Sequence, residues 1–197
     1  MTAATPLWRH AANGAALVAI LSVASLILHS TPSQEWQQSP ISVPAAMNET
    51  ATGRNVRATV HAVTVAKAVT AGNGWAGTTP GVWVVVDLSV EAVVDDQGAA
   101  LGTAVLRVGE TSFNASTRPD RGTLAAVRLA TGIPLTGPIM FELPADVASS
   151  ASAETATLEL ATNSDPRVDS LIVVPVDLGD AIVRDTLDVD FPEWGTR

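Results

Sequence analysis

The stretch GVWVVVDLSVEAVV, Gly81 to Val94, sets Asp87, Ser89 and Glu91 at alternate positions among valines. These are either catalytic groups or the wet side of a sheet. In an extended chain Asp87 and Glu91 lie about 13 Å apart. Paired acids in glycoside hydrolysis need roughly 5 to 9.5 Å. Alternate residues of a strand face opposite sides. Val82, Val84, Val86, Leu88, Val90 and Ala92 therefore form a core face, and Trp83, Val85, Asp87, Ser89 and Glu91 the opposite one. The expectation is a solvated outer face.

Other chemistry is thinly supplied. Hydrolase triads need a base, usually histidine, and the chain has only His10, His29 and His61. The first two flank an apolar segment. His61 falls on the polar phase of a strand and reads as a surface residue. There is no G-x-S-x-G elbow and no glycine-rich phosphate loop. Cysteine is absent, which excludes disulfides, thiolate metal sites, a cysteine nucleophile and a lipid-bearing cysteine. Zinc lacks ligands. Calcium would have to use Asp95 with Asp96, or Asp185, Asp188 and Asp190, and neither set has EF-hand spacing. No catalytic, cofactor-binding or metal residue is assigned, and the expectation is a protein that is not an enzyme.

These residues sit in 197 positions with a formal charge of −9, one lysine (Lys67) and ten arginines. A nucleic-acid partner is excluded because its phosphates would be repelled and no basic stripe offsets that. Residues 11–29 hold no charged side chain. The eighteen residues from Ala11 to Leu28 would span about 27 Å as a helix, close to the hydrocarbon thickness of a bilayer. Arg9 precedes the segment and the next basic residue is Arg54. The positive-inside rule then keeps residues 1–10 in the cytoplasm and places the rest outside the cell membrane. Good cleavage positions are missing, so a single-pass signal anchor is preferred. The alternative is a cleaved signal peptide that releases a secreted, soluble ligand-binding or antigen-like domain.

Residues 30–54 are rich in Pro, Ser and Thr and read as an extended stalk. From residue 55 to 179 short apolar runs alternate with turn residues. VRATVHAVTV changes phase near Ala62, which suggests a bulge. AGNGWAGTTPG reads as a loop before the Gly81 strand, and Asp95 to Gly98 as a hairpin turn. Further strands are expected at TAVLRV, TSFNAS, LAAVRLA, GPIMFELP, ATLELAT and SLIVVPVDL. The pattern predicts an all-β, antiparallel β-sandwich behind one amino-terminal transmembrane helix. Residues 180–197 form an acidic segment that pairs with its own sheet, docks on a partner's sheet edge, or stays unpaired.

GVWVVVDLSVEA, TGPIMFELP and DSLIVVPVDL resemble strand motifs of an actinobacterial family of exported, immunoglobulin-like domains, similar in fold to secreted mycobacterial immunoprotective antigens. The resemblance spans about Arg54 to Gly179. It implies an immunoglobulin-like sandwich and an extracytoplasmic interaction module, and it supplies no catalytic residues. The residues expected to meet a protein partner are Trp75 in its glycine-rich loop and Val183, Leu187, Val189, Phe191 and Trp194 near the carboxy terminus. Function is therefore expected to be binding, as an accessory component of a membrane or envelope complex.

Overall fold

The computed structural model describes residues 7–30, 38–94 and 99–195, in two units divided between Ser39 and Pro40. The first unit holds α1 (Leu7–Ser30), whose 24 residues extend about 36 Å. The helix is apolar and long enough to cross a membrane. Ser22, His29 and Ser30 turn their polar atoms back onto helix carbonyls, so these side chains are satisfied within the helix itself.

The second unit is a β-sandwich. One sheet has the order β1 (Ile41–Pro44), β9 (Ser170–Val176), β8 (Ala156–Ala161), β5 (Thr103–Val108), β6 (Thr111–Asn114). The other has the order β10 (Ile182–Val189), β3 (Val56–Ala71), β4 (Ala76–Ala92), β7 (Leu135–Leu143), β11 (Glu193–Trp194), with β2 (Thr50–Thr52) also on β3. Most pairings are antiparallel, as expected. The two edge pairs β1–β9 and β10–β3 run parallel.

The core follows the alternation of the sequence. Val84, Val86, Leu88, Val90 and Ala92 of β4 meet Leu106, Leu158, Leu160 and Ile172 of the facing sheet, all buried. Val56, Ala58 and Val60 join from one half of β3 and Val65 from the other. Between the halves, Val60 pairs with Leu88 and Ala62 with Asp87. His61 is thus the extra residue of the bulge expected near Ala62, and it restores the valines beyond it to the core face.

A second irregularity reshapes the sheet. β3 advances from Ala66 to Ala68 while β4 advances from Trp83 to Thr78. Thr79 to Val82 stand opposite Lys67 alone. Pro80 has no N–H for the ladder, and Gly81 packs so close to β7 that a Cβ there would meet the Leu143 carbonyl oxygen at 1.9 Å. The distal half of the β3–β4 hairpin bends as a result. Trp75 and Trp83 would lie about 26 Å apart on a straight strand, yet their ring centroids are 5.5 Å apart and perpendicular.

The carboxy-terminal chain closes the curl. β10 and β11 lie on opposite edges of one sheet order, yet only Asp190 to Pro192 join them. Such a link reaches about 13 Å, whereas four strand spacings of a flat sheet take about 19 Å.

Several expectations are corrected here. Residues 41–52, read as stalk, form β1 and β2, and Ala45 and Ala51 are buried in the core. The sandwich therefore starts at Ile41, not residue 55. It also extends past residue 179, because β10 and β11 belong to its sheet. LAAVRLA is not a strand: Leu124–Ala126 is a 3-10 turn in which the Thr123 hydroxyl accepts from the Ala125 N–H. The same hydroxyl donates to the Pro138 carbonyl. Local side-chain bonding of this kind competes with strand pairing. β4 begins at Ala76, so the AGNGWAGTTPG loop contracts to a turn around Gly72 to Trp75. The expected Asp95–Gly98 hairpin turn lies outside the described residues.

Candidate binding site

The outer face of β4 is not solvated. Trp83, Val85, Ser89 and Glu91 are all buried and Asp87 is half-buried. Over Trp83 and Val85 the curled sheet accounts for this, since it folds Trp75 of its distal arm and Leu187 and Val189 of β10 onto them. Ser89 and Glu91 are satisfied by side chains of the neighbouring strands: His61 and Arg57 of β3 and Thr136 of β7.

The first arrangement is a directed chain. Thr136 Oγ1 donates to the Gly195 carbonyl at 2.6 Å, which uses its only proton. Ser89 and Thr136 hydroxyls lie 2.6 Å apart, so Ser89 must be the donor there. His61 Nε2 lies 2.8 Å from Ser89 Oγ and must in turn donate to it. Each hydroxyl has one proton to give. The serine proton therefore points away from the histidine, opposite to the polarity of an activated nucleophile. The chain instead binds the bulge of β3, through β4 and β7, to the last described residue of the domain. Beside it Arg57 pairs with the buried Glu91 and also donates to Thr52 of β2. A buried carboxylate needs such a partner.

The second arrangement fixes the hairpin tip. Asn73 Nδ2 donates to the Pro119 carbonyl at 2.8 Å, and its Oδ1 accepts from the Trp75 N–H at 2.9 Å. Trp75 then lies against Trp83 in the small cluster of Ala66, Val69, Val85 and Met140, with Leu187 and Val189 of β10 packed on it. The Arg118 guanidinium sits 5.4 Å from the Trp83 ring centroid and is held there by Glu142 at 2.7 Å. Such a cation over an indole is attractive because the ring faces are negative. Among the described residues, the Trp83 indole N–H is the buried side-chain donor without a partner.

The third arrangement is open. Phe191, Pro192 and Trp194 line a cleft of about 440 Å³ together with Val127, Leu135, Arg121 and Arg128. Phe191 is 40% exposed and Trp194 58%. The strap that carries them is pinned at several points. Glu193 and Trp194 pair with Thr136 and Leu135, and the Gly195 N–H donates to the Pro134 carbonyl at 2.8 Å. Gly137 lies so close beneath that a Cβ there would meet Pro192 Cα at 2.8 Å. The segment is therefore pre-organised, which lowers the ordering cost of binding. Neither Arg121 nor Arg128 makes an ion pair or a side-chain hydrogen bond among the described residues.

The residues singled out from the sequence thus divide. Trp75, Leu187 and Val189 are committed to the domain's own packing. Phe191 and Trp194 are brought together in the cleft, and Val183 stands apart on β10, 70% exposed. The acidic candidates do not converge: Asp185 pairs with Lys67 at 2.8 Å, and Asp188 accepts from the Thr70 hydroxyl. Asp190 lines a small cleft with Asp87 and Asp188, and the described residues contain no group of three that could hold a metal. Asp95 and Asp96 lie outside the described residues. His61 is not the free surface residue expected. The phase change at Ala62 carried the signal for its place, because a bulge there turns His61 toward Ser89. Arg121 and Arg128 were missed, since their significance depends on the strap folding beside them.

Fold and surface together define a β-sandwich with a curled second sheet and an apolar amino-terminal helix. No protein-family model and no curated protein matches the chain. Among solved structures, it is similar to an uncharacterized β-sandwich protein from Clostridium difficile, at 10% identity and a TM-score of 0.46, covering 74% of this chain and 99% of that one. It is also similar to the yjhA protein of Bacillus subtilis, at 17% identity and a TM-score of 0.43, covering 66% and 98% respectively. A candidate lipoprotein from Staphylococcus aureus is 8% identical with a TM-score of 0.44, covering 72% of this chain and 96% of that one.

Proposed function

We propose that this chain is a membrane-anchored, extracytoplasmic interaction module of the actinobacterial immunoglobulin-like type, acting without catalysis as an accessory component of an envelope complex. α1 is the anchor, residues 1–10 stay in the cytoplasm, and the sandwich contacts a protein partner. The observation that carries the reading is the pinned strap, which holds two partly exposed aromatic rings in one cleft although the domain does not need them in its core. Large aromatic side chains presented this way are the usual anchors of protein interfaces. The polarity of the His61–Ser89 pair favours the non-catalytic reading. The released, secreted form is the alternative, and α1 would then be removed.

The experiment is fractionation with intact-mass analysis, followed by capture from native membranes. A full-length mass in the membrane fraction, with a partner whose recovery falls at least five-fold for a Phe191→Ala/Trp194→Ala variant, is the expected result. A truncated mass in the supernatant, or no reproducible partner, overturns it.

A further inference from the structure

The cleft beside the strap has a polarity that narrows what it binds. Its lining joins the apolar Leu135, Val127, Phe191, Pro192 and Trp194 to Arg121 and Arg128, both exposed. In a chain of formal charge −9, acids are plentiful, and four of the arginines are matched by one. Arg57 has Glu91, Arg107 has Glu159, Arg118 has Glu142 and Arg167 has Asp165. Arg54, Arg121, Arg128 and Arg184 have no ion pair among the described residues, and of these Arg121 and Arg128 share one cleft.

We infer that this cleft is a docking site for a peptide segment of a protein partner that presents a carboxylate next to an apolar side chain. The inference rests on the interaction-module reading and names its partner's chemistry. The carboxylate meets the two guanidinium groups, which suit it through paired N–H donors. The apolar side chain lies against Phe191 and Trp194. Anionic lipid fits less well, because Asp190 and Glu193 flank Phe191 and Pro192 on the strap itself. A broad anionic surface would press phosphates against these carboxylates, whereas a peptide places one carboxylate on the arginines and leaves the rest of the strap uncovered.

The test uses the full chain in neutral phosphatidylcholine nanodiscs, panned against a random heptapeptide display library. The expected result is enrichment of peptides with Asp or Glu beside Leu, Phe or Trp. Their binding should fall at least ten-fold when that acid is changed to its amide, and equally for an Arg121→Gln/Arg128→Gln variant. Both arginines are exposed, so this variant should melt as the parent does. The milder Arg121→Lys/Arg128→Lys variant, which keeps the charge, should retain partial binding. Enriched peptides without acids, no enrichment, or binding unchanged in the glutamine variant overturns the inference. Arginine-dependent binding to phosphatidylglycerol vesicles in place of peptides also overturns it. A native partner captured equally by parent and glutamine variant removes the cleft assignment while leaving the interaction-module reading intact. Loss of every partner for the parent removes that reading instead.

Discussion

The imidazole Nε2 of His61 and the hydroxyl of Ser89 lie 2.8 Å apart, and the contacts beyond the serine leave the imidazole as the donor. The direction is imposed from the far end, where the Gly195 carbonyl takes the Thr136 proton and Thr136 therefore takes the serine's. A sequence that places serine between two acids on one strand invites a catalytic reading. The hydrogen-bond polarity makes the serine part of a latch that holds Gly195.

The latch predicts that Ser89 does not react. A fluorophosphonate probe should leave the parent protein unlabelled, and a covalent adduct on Ser89 seen by mass spectrometry would contradict the assignment. Thr136→Val should cost about 1–3 kcal/mol in denaturant unfolding, since it strips a partner from a buried hydroxyl and from the Gly195 carbonyl.

Trp83 and Trp75 should differ in what they contribute. Trp83 is fully buried beneath the folded arm and Trp75 is only half-buried. Trp83→Ala should destabilise the domain by about 3–5 kcal/mol through the cavity left behind. Trp75→Ala should cost less and should expose Trp83, seen as a red shift of its fluorescence in a variant with the other tryptophans replaced by phenylalanine. Equal losses for the two would count against an arm that covers the face.

Gly137→Ala tests the seating of the strap. The new methyl would lie 2.8 Å from Pro192 Cα, so backbone must give way. Hydrogen exchange at Trp194 and Gly195 should quicken by an order of magnitude or more while β8 remains protected. Unchanged exchange would mean the strap is not held from below.

The Lys67–Asp185 pair ties β3 to β10 at the surface. The ammonium beside it, mainly through a hydrogen bond, holds the Asp185 carboxyl below its ordinary range. A carboxylate with a lowered folded pKa favours the fold above the ordinary carboxylate range, and that contribution is lost as the pH falls through the folded value. Both groups are fully exposed, so the effect on stability should be small. Carbon-detected NMR titration should find Asp185 protonating at lower pH in the parent than in Lys67→Ala. Coincident titrations would show the pair is not formed in solution.

Much of the fold was legible because β4, β5, β7, β8 and β9 are written as apolar alternation or apolar runs bounded by turn residues. The bulge at His61 was legible as a change of phase. The burial of Ser89 and Glu91 was not, because a strand's period says which residues share a face and not whether a distant segment covers it. Ser89 and Glu91 lie against His61, Thr136 and Arg57 of adjacent strands, and the cover over Trp83 and Val85 depends on Pro80 and Gly81 bending the hairpin and on a three-residue link drawing β10 to β11. Phe191 and Trp194 could be picked out as large aromatic residues in an acidic tail. Their arginine neighbours could not, since they lie more than sixty positions earlier and become neighbours only when the strap is seated.

Site-specific photo-crosslinking tests the account most directly. A benzophenone amino acid at position 194 of the full chain, irradiated in its native membrane, should yield one dominant protein adduct. The same probe at position 167, on the opposite sheet's loops, should yield none. Adducts of equal strength at both positions, or a chain found cleaved and free in the supernatant without adducts, would contradict the account.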